Sequence, residues 1–221
     1  MAEKKAPIPS QTNVELKFAV SADLHVKVRK LLMTAGTKLL GVAPVPLPLG
    51  GVIPRELEQT DTFFSGSMYS EKSGTYFKMR LENAAEHTVE IAGKVMKLPR
   101  EQLSRLILYT RPSECGVMTS TWSQIVFADR KEAISLTNML SASNGILVVV
   151  HKSRWVWLVD NIRVHLDVVD KLGTCIEFEY CVDDKHPHTD GAARLAELSK
   201  ELGLGNCEPL ECAYADVILA M

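Results

Sequence analysis

Four segments of the chain alternate apolar and charged residues one for one, and that period of two commits each of them to a β-strand with two chemically different faces. In residues 13–20, Val14, Leu16, Phe18 and Val20 interleave with Asn13, Glu15 and Lys17. In 76–82, Phe77, Met79 and Leu81 oppose Tyr76, Lys78, Arg80 and Glu82. In 162–168, Ile162, Val164, Leu166 and Val168 oppose Arg163, His165 and Asp167. In 175–182, Ile176, Phe178, Tyr180 and Val182 oppose Cys175, Glu177, Glu179 and Cys181. Antiparallel sheets often wet one face, and for a single strand that would suffice. Four strands whose second faces together set Arg, Lys and His among closely spaced acids ask for more. Helices need an apolar sheet face to pack on, which the alternating apolar residues supply, so the charged parity is expected to line a concave or closed interior.

Such an interior gathers Lys17, Lys78, Arg80, Lys152, Arg154 and Arg163, with Arg111 at the end of its strand. Two like charges 4 Å apart repel by about 4 kcal/mol at an effective dielectric near 20. Either acids or a bound anion must compensate. A polyphosphate suits the site, because Arg presents a planar fork and Lys a point charge to phosphate oxygens, while carboxylates can hold a hard cation bridging those same oxygens.

Around these segments the chain reads as α+β. Ser21 or Asp23 can cap a helix with the stripe Leu24, Val28, Leu31, Leu32 and Ala35, ended by Gly36. Residues 41–58 hold Pro44, Pro46, Pro48, Gly50, Gly51 and Pro54 and are expected to form a surface loop. Further strands are predicted near 57–64, 75–83, 87–96, 104–111, 121–127 and 146–159. Helices are predicted over Arg130–Ser141, stopping before Asn144-Gly145, over Asp190–Leu202, and briefly near 210–219. Eight or more strands with few helices argue for an antiparallel sheet. Residues 1–12 show no periodicity and are expected to be a flexible N-terminal segment, leaving one domain from 13 to 221.

The charge balance, 25 Lys and Arg against 27 Asp and Glu, gives no molecule-wide field to draw in nucleic acid, so any anion site must be local. No apolar run approaches the roughly 20 residues of a membrane helix. The five scattered cysteines contain no C-x-x-C pair. They fit a reducing compartment better than a disulfide scaffold or zinc site, so a cytoplasmic protein is expected.

The same charged strings carry a family resemblance. Val14-Glu15-Leu16-Lys17-Phe18 is similar to the end of an E-x-E-x-K signature. Asp61-Thr62-Phe63-Phe64, Lys78-Met79-Arg80 and Tyr109-Thr110-Arg111-Pro112 resemble D-T-Y-F, K-L-R and Y-x-R-P segments. Lys152-Ser153-Arg154, Arg163-Val164-His165-Leu166-Asp167 and Leu172-Gly173 through Glu177-Phe178-Glu179 follow in family order, and Ala213-Tyr214-Ala215-Asp216 is similar to its ending. Together these resemble the CYTH family of triphosphate tunnel metalloenzymes, over nearly the whole chain. The resemblance implies an eight-stranded antiparallel β-barrel tunnel with helices outside, acting with Mg or Mn on a triphosphate such as tripolyphosphate, ATP or thiamine triphosphate. Lys17, Lys78, Arg80, Arg111, Lys152, Arg154 and Arg163 would cradle phosphate oxygens. Glu15, Glu177 and Glu179 would hold the metal and, with Lys17, form the catalytic set. Hydrolysis by a metal-polarised water, needing no side-chain nucleophile, is the implied reaction, with adenylyl cyclase chemistry as the alternative. One departure stands out: Asn13 occupies the place of the first signature Glu, which weakens the implied metal site and makes a binding protein without turnover a third possibility.

Other side chains receive structural readings. His165, beside Asp167, is expected as a hydrogen-bonded part of the lining. His186 and His188 are read as loop polarity, since His-Pro-His fixes no convergent geometry. Trp155 and Trp157, on the face opposite Lys152 and Arg154, are expected under helices. Cys175 and Cys181 share the parity of Glu177 and Glu179 without assigned chemistry. Gly50-Gly51 lacks the Lys-Ser/Thr of a phosphate-binding P-loop.

Overall fold

A computed structural model describes residues 10–34, 36–47, 56–65, 74–91, 94–98, 100–111 and 117–221. The strands are β1 (Gln11–Ala19), β2 (Val45–Leu47), β3 (Leu57–Phe64), β4 (Thr75–Ala84), β5 (His87–Ile91), β6 (Lys94–Leu98), β7 (Glu101–Thr110), β8 (Met118–Phe127), β9 (Ile146–Val159), β10 (Ile162–Val169) and β11 (Gly173–Cys181). The helices are α1 (Ala22–Met33), α2 (Arg130–Asn144), α3 (His188–Glu201) and α4 (Tyr214–Leu219).

Eight strands close into an antiparallel barrel in the order β10-β11-β1-β8-β7-β4-β3-β9, and the pairing of β9 with β10 seals it. Closure depends on β9. Its first half pairs with β3, its second half with β10, and Lys152, Ser153 and Arg154 are flanked on both sides. A strand of 14 residues can thus bend around the barrel and leave no free edge. The expected barrel is the fold.

The parity argument places the core outside the barrel. Leu16, Phe18, Trp155, Trp157, Val164, Leu166, Ile176 and Phe178 face outward and are buried under Val28 and Leu32 of α1 and Leu195 and Leu198 of α3. Trp155 and Trp157 therefore pack beneath helices as expected. Gly191 lets α3 lie directly on β1, since a Cβ there would meet Val14 Cγ2 at 2.6 Å. A second outer cluster joins Ala133 of α2 to Phe64, Phe77 and Met79. A third is different, because its strand residues Phe63, Tyr76, Tyr109, Val150 and Cys175 point inward at one end of the barrel, where Tyr214, Ala215 and Ile218 of α4 cover them. That end is an apolar floor; Asp216 fastens α4 to it by accepting from Tyr76 Oη at 2.7 Å and caps the start of the helix by accepting from the Ala213 N–H at 3.0 Å.

Several local expectations change. Val45–Leu47, predicted as loop, forms β2 and pairs with Val156, Trp157 and Leu158 of β9. Pro46 is tolerated because β2 lies at a sheet edge, where its missing N–H breaks no ladder. Gln11 and Thr12, expected in the flexible segment, belong to β1 and pair with Trp122 and Thr121. The predicted strand at 87–96 is a hairpin, β5 with β6. The helix predicted to 141 runs on to Asn144 before Gly145 turns the chain at φ 80°. Ala35, Gly50, Gly51, Pro48, Pro54, Pro112 and Cys115 lie outside the described residues.

Candidate functional site

The inward faces enclose a cavity of about 360 Å³ lined by all seven cations and all three glutamates that the sequence nominated for the site. The volume falls in the range of small-molecule sites. Cations and acids form chains of close pairs around it.

On β3, β4 and β9, Asp61 gathers three cations. Arg80 binds it through two parallel bonds, Nε to Oδ1 and a terminal nitrogen to Oδ2, each 2.7 Å. Lys78 Nζ donates to Oδ2 at 3.0 Å, and Lys152 Nζ stands 3.6 Å away. Burial works to raise the Asp61 carboxyl, but Arg80, Lys78 and Lys152 outweigh it and hold it well below the usual range. The amines pay the other half of that crowding. Burial, then Arg80, pulls Lys78 down to about 7, and burial with Arg154 lowers Lys152 as well. Three basic groups against one carboxylate leave two positive charges locally uncompensated when both amines are protonated, which is what lowers the amines.

On β1, β10 and β11 the pairing is tighter. Lys17 Nζ lies 2.5 Å from Glu15 and 2.6 Å from Glu177. Glu15 also accepts from Arg111 at 2.8 Å and from the Ser120 hydroxyl. Arg154 of β9 makes two 2.6 Å bonds to Asp167 and a third, also 2.6 Å, to Glu177. Asp167 is wholly buried behind the lining, and Tyr214 Oη donates to it at 3.0 Å. Arg163 pairs with Glu179 at 2.7 Å nearer the wet end of the barrel. Burial opposes ionisation of Glu15 and Glu177, yet Lys17 with Arg111 lowers the first and Lys17 with Arg154 holds the second well below its usual range.

The interior is therefore less cationic than the expected crowd. Eight lining cations, the expected seven with Arg105, meet six lining acids, and Asp167 makes a seventh behind Arg154. Asp61 is a compensating acid that the sequence reading had not placed in the interior, and Asp167, placed on the inner face, compensates Arg154 from behind the lining. Arg105 with Glu82 at 2.9 Å, Gln59 bonded to Glu82, and Trp122 complete the lining beyond the predicted set.

Several buried polar atoms of the lining residues have no hydrogen-bond partner. Arg111 Nε and Nη1 and Arg163 Nε make no hydrogen bond, and neither ring nitrogen of His165 does. His165 thus lines the tunnel as expected but is not hydrogen-bonded. Its Nδ1 lies 3.6 Å from Glu177 Oε2 and its Nε2 3.5 Å from Glu179 Oε2. Burial and then Arg154 keep the imidazole neutral, its pKa well below the usual histidine value. Of the three implied metal ligands, Glu177 and Glu179 converge, and the residue grouped with them is His165: one ligand atom from each lies within 4.8 Å of the others. Glu15 is turned to Lys17, Arg111 and Ser120 instead. These donor atoms fit a divalent ion. Asn13 makes no such offer, since its surroundings orient its amide oxygen to accept from Trp122 Nε1 at 3.1 Å and Arg163 at 2.9 Å. His186 bonds Asp183 and His188 bonds Thr119, so that pair converges on nothing.

The CYTH domain family model matches residues 11–208. No curated protein matches the sequence. Among solved structures, the PH1819 protein from Pyrococcus horikoshii OT3 is similar over 94% of this chain and 98% of its own, at 16% identity and a TM-score of 0.62. A candidate adenylate cyclase from Vibrio parahaemolyticus is similar over 94% and 98%, at 16% identity and a TM-score of 0.57. A chain of the Schizosaccharomyces pombe Mediator head module is similar over 90% and 97%, at 12% identity and a TM-score of 0.52.

Proposed function

This chain belongs to the CYTH domain family, and on that premise we propose that it binds a linear triphosphate with a divalent cation inside the barrel and hydrolyses its terminal phosphoanhydride. The observation that carries the reading is the convergence of Arg80, Lys78 and Lys152 on the single carboxylate of Asp61 inside the barrel. A buried excess of positive charge calls for a guest anion, and the free N–H groups of Arg111 and Arg163 add unfilled donors for one.

In this account Lys78, Arg80 and Lys152 grip the phosphate chain from one side while Lys17, Arg111, Arg154 and Arg163 grip it from the other. Asp61 and Asp167 hold the guanidiniums of Arg80 and Arg154 in place beforehand, so little reorganisation is needed when ligand arrives. Glu177 and Glu179 would hold Mg or Mn, which when bound would polarise phosphate oxygens and the attacking water. The floor of Phe63, Tyr76, Tyr109 and Tyr214 keeps that end of the cavity dry. Phosphorus NMR after incubation with tripolyphosphate, ATP or thiamine triphosphate and Mg or Mn tests the reaction. Orthophosphate is expected as a product. Cyclic AMP with pyrophosphate from ATP would make the protein a cyclase. Binding without any product would make it a binding protein, the reading that Asn13 favours by bringing no carboxylate to the site.

Lys78 makes binding pH-dependent. With its pKa near 7 in the free protein, it is charged below that value and must take up a proton to meet the anion above it. Affinity carried by this group should therefore fall by up to about tenfold per pH unit above 7, equivalent to about 1.4 kcal/mol. The phosphates' own titration is common to every variant, so the comparison with Lys78→Met isolates the lysine. Calorimetry from pH 6 to 9 should show the gap between the two proteins closing as pH rises. A constant gap would contradict a titrating Lys78.

A further inference from the structure

Resting on the reading of a metal-assisted triphosphate site, we propose that His165 is a metal ligand in this chain and that its nitrogen makes the site prefer a first-row transition ion such as Mn²⁺ to Mg²⁺. Three observations carry it. The imidazole is 5% exposed and neither of its nitrogens has a hydrogen-bond partner, a condition that costs stability unless something binds there. It sits between two carboxylates, 3.6 Å from Glu177 and 3.5 Å from Glu179, too long for hydrogen bonds but within reach of a shared ion. The two oxygen-only alternatives on β1 are both engaged, Glu15 by Lys17, Arg111 and Ser120, and Asn13 by Trp122 and Arg163.

The register explains the grouping. His165 pairs directly with Glu177 across β10 and β11, and Arg163 with Glu179, so one strand pair carries all three ligand side chains on one face. Ligand bonds of about 2.1 Å would draw atoms now within 4.8 Å of one another closer by a modest side-chain movement. One ring nitrogen would face the ion and the other would hand its hydrogen to a carboxylate, the usual support for a ligating histidine. Glu177 and Glu179 each keep lone pairs beyond those used by Lys17, Arg154 and Arg163. A nitrogen ligand matters for selectivity: imidazole suits Fe²⁺, Ni²⁺, Cu²⁺ and Zn²⁺ best, and Mn²⁺, the most oxygen-leaning ion of that row, still accepts it more readily than Mg²⁺ does.

Pulsed electron paramagnetic resonance of the protein with Mn²⁺ and tripolyphosphate provides the test, since this ligand contains no nitrogen of its own. The expected result is a nitrogen modulation from a directly bound imidazole in the native protein, absent from His165→Ala and His165→Asp. Calorimetry on the same proteins should show Mn²⁺ affinity falling about ten- to a hundredfold in His165→Ala. Mg²⁺ affinity should hardly move. His165→Asp, which restores an all-oxygen site, should favour Mg²⁺ relative to the native protein. Mn²⁺ bound by the native protein with no nitrogen modulation would overturn the role of His165 and leave the tunnel reading standing. No Mn²⁺ binding, with or without tripolyphosphate, would overturn the role of His165, and only the further absence of Mg²⁺ and tripolyphosphate binding would overturn the tunnel reading as well. The native spectrum decides the matter even if a variant fails to fold.

Discussion

Replacing Arg154 by Ala is expected to lower folding stability by about 3 to 5 kcal/mol, the range for removing one partner of a buried ion pair. The guanidinium is 3% exposed and holds both Asp167 and Glu177 at 2.6 Å. Its loss would leave Asp167, wholly buried, with only the Tyr214 hydroxyl, and Glu177 with Lys17. Asp167→Asn in the same protein should recover part of the loss by removing the stranded charge. Lys152→Ala should behave in the opposite way, neutral or slightly stabilising. Burial and Arg154 already disfavour the charged amine, and Asp61 keeps Arg80 and Lys78 without it. Urea melts at neutral pH would compare the two. Equal losses would mean that the interior is not organised around these acids.

That contrast shows where the sequence was readable and where it was not. The strands of Glu15, Lys78, Arg163 and Glu177 declared their inner faces because each alternated cleanly with an apolar outer face. β7 did not, since its inward residues Leu103, Arg105, Ile107 and Tyr109 mix with Glu101 while Leu106 and Leu108 face outward. No alternation survives there, and Arg105 escaped notice. β8 hid Trp122 in the same way, among Ser, Thr and Gln on both faces. Asp61 was visible as a residue of a motif, but that it would gather Lys78, Arg80 and Lys152 depends on β3 lying between β4 and β9, a pairing that no local pattern encodes. The crowd of like charges was consequently expected to be worse than it is. His165 was read as hydrogen-bonded from its distance in sequence to Asp167, whereas Arg154 claims both oxygens of that carboxylate with two of its three guanidinium nitrogens. Pro46 misled for a simpler reason, because proline excludes central strands but not edge ones.

The second large effect concerns ligand. Lys78→Ala combined with Lys152→Ala removes the two cations around Asp61 that its carboxylate does not neutralise, and leaves the Arg80 pair intact. A hydrogen bond to a charged group contributes about 1.5 to 3 kcal/mol, so the two together should weaken tripolyphosphate binding by about 3 to 6 kcal/mol, on the order of a hundred- to ten-thousand-fold. Orthophosphate, which cannot span both walls, should lose less.

Calorimetric titration of the native protein with tripolyphosphate and with orthophosphate, at matched ionic strength and with Mn²⁺ present, tests the central claim most directly. A barrel whose cations grip an extended anion from two walls should bind tripolyphosphate at least about a hundredfold more tightly, a difference of about 2.7 kcal/mol. Equal affinity for the two anions, or binding of neither, would contradict a triphosphate site in this barrel.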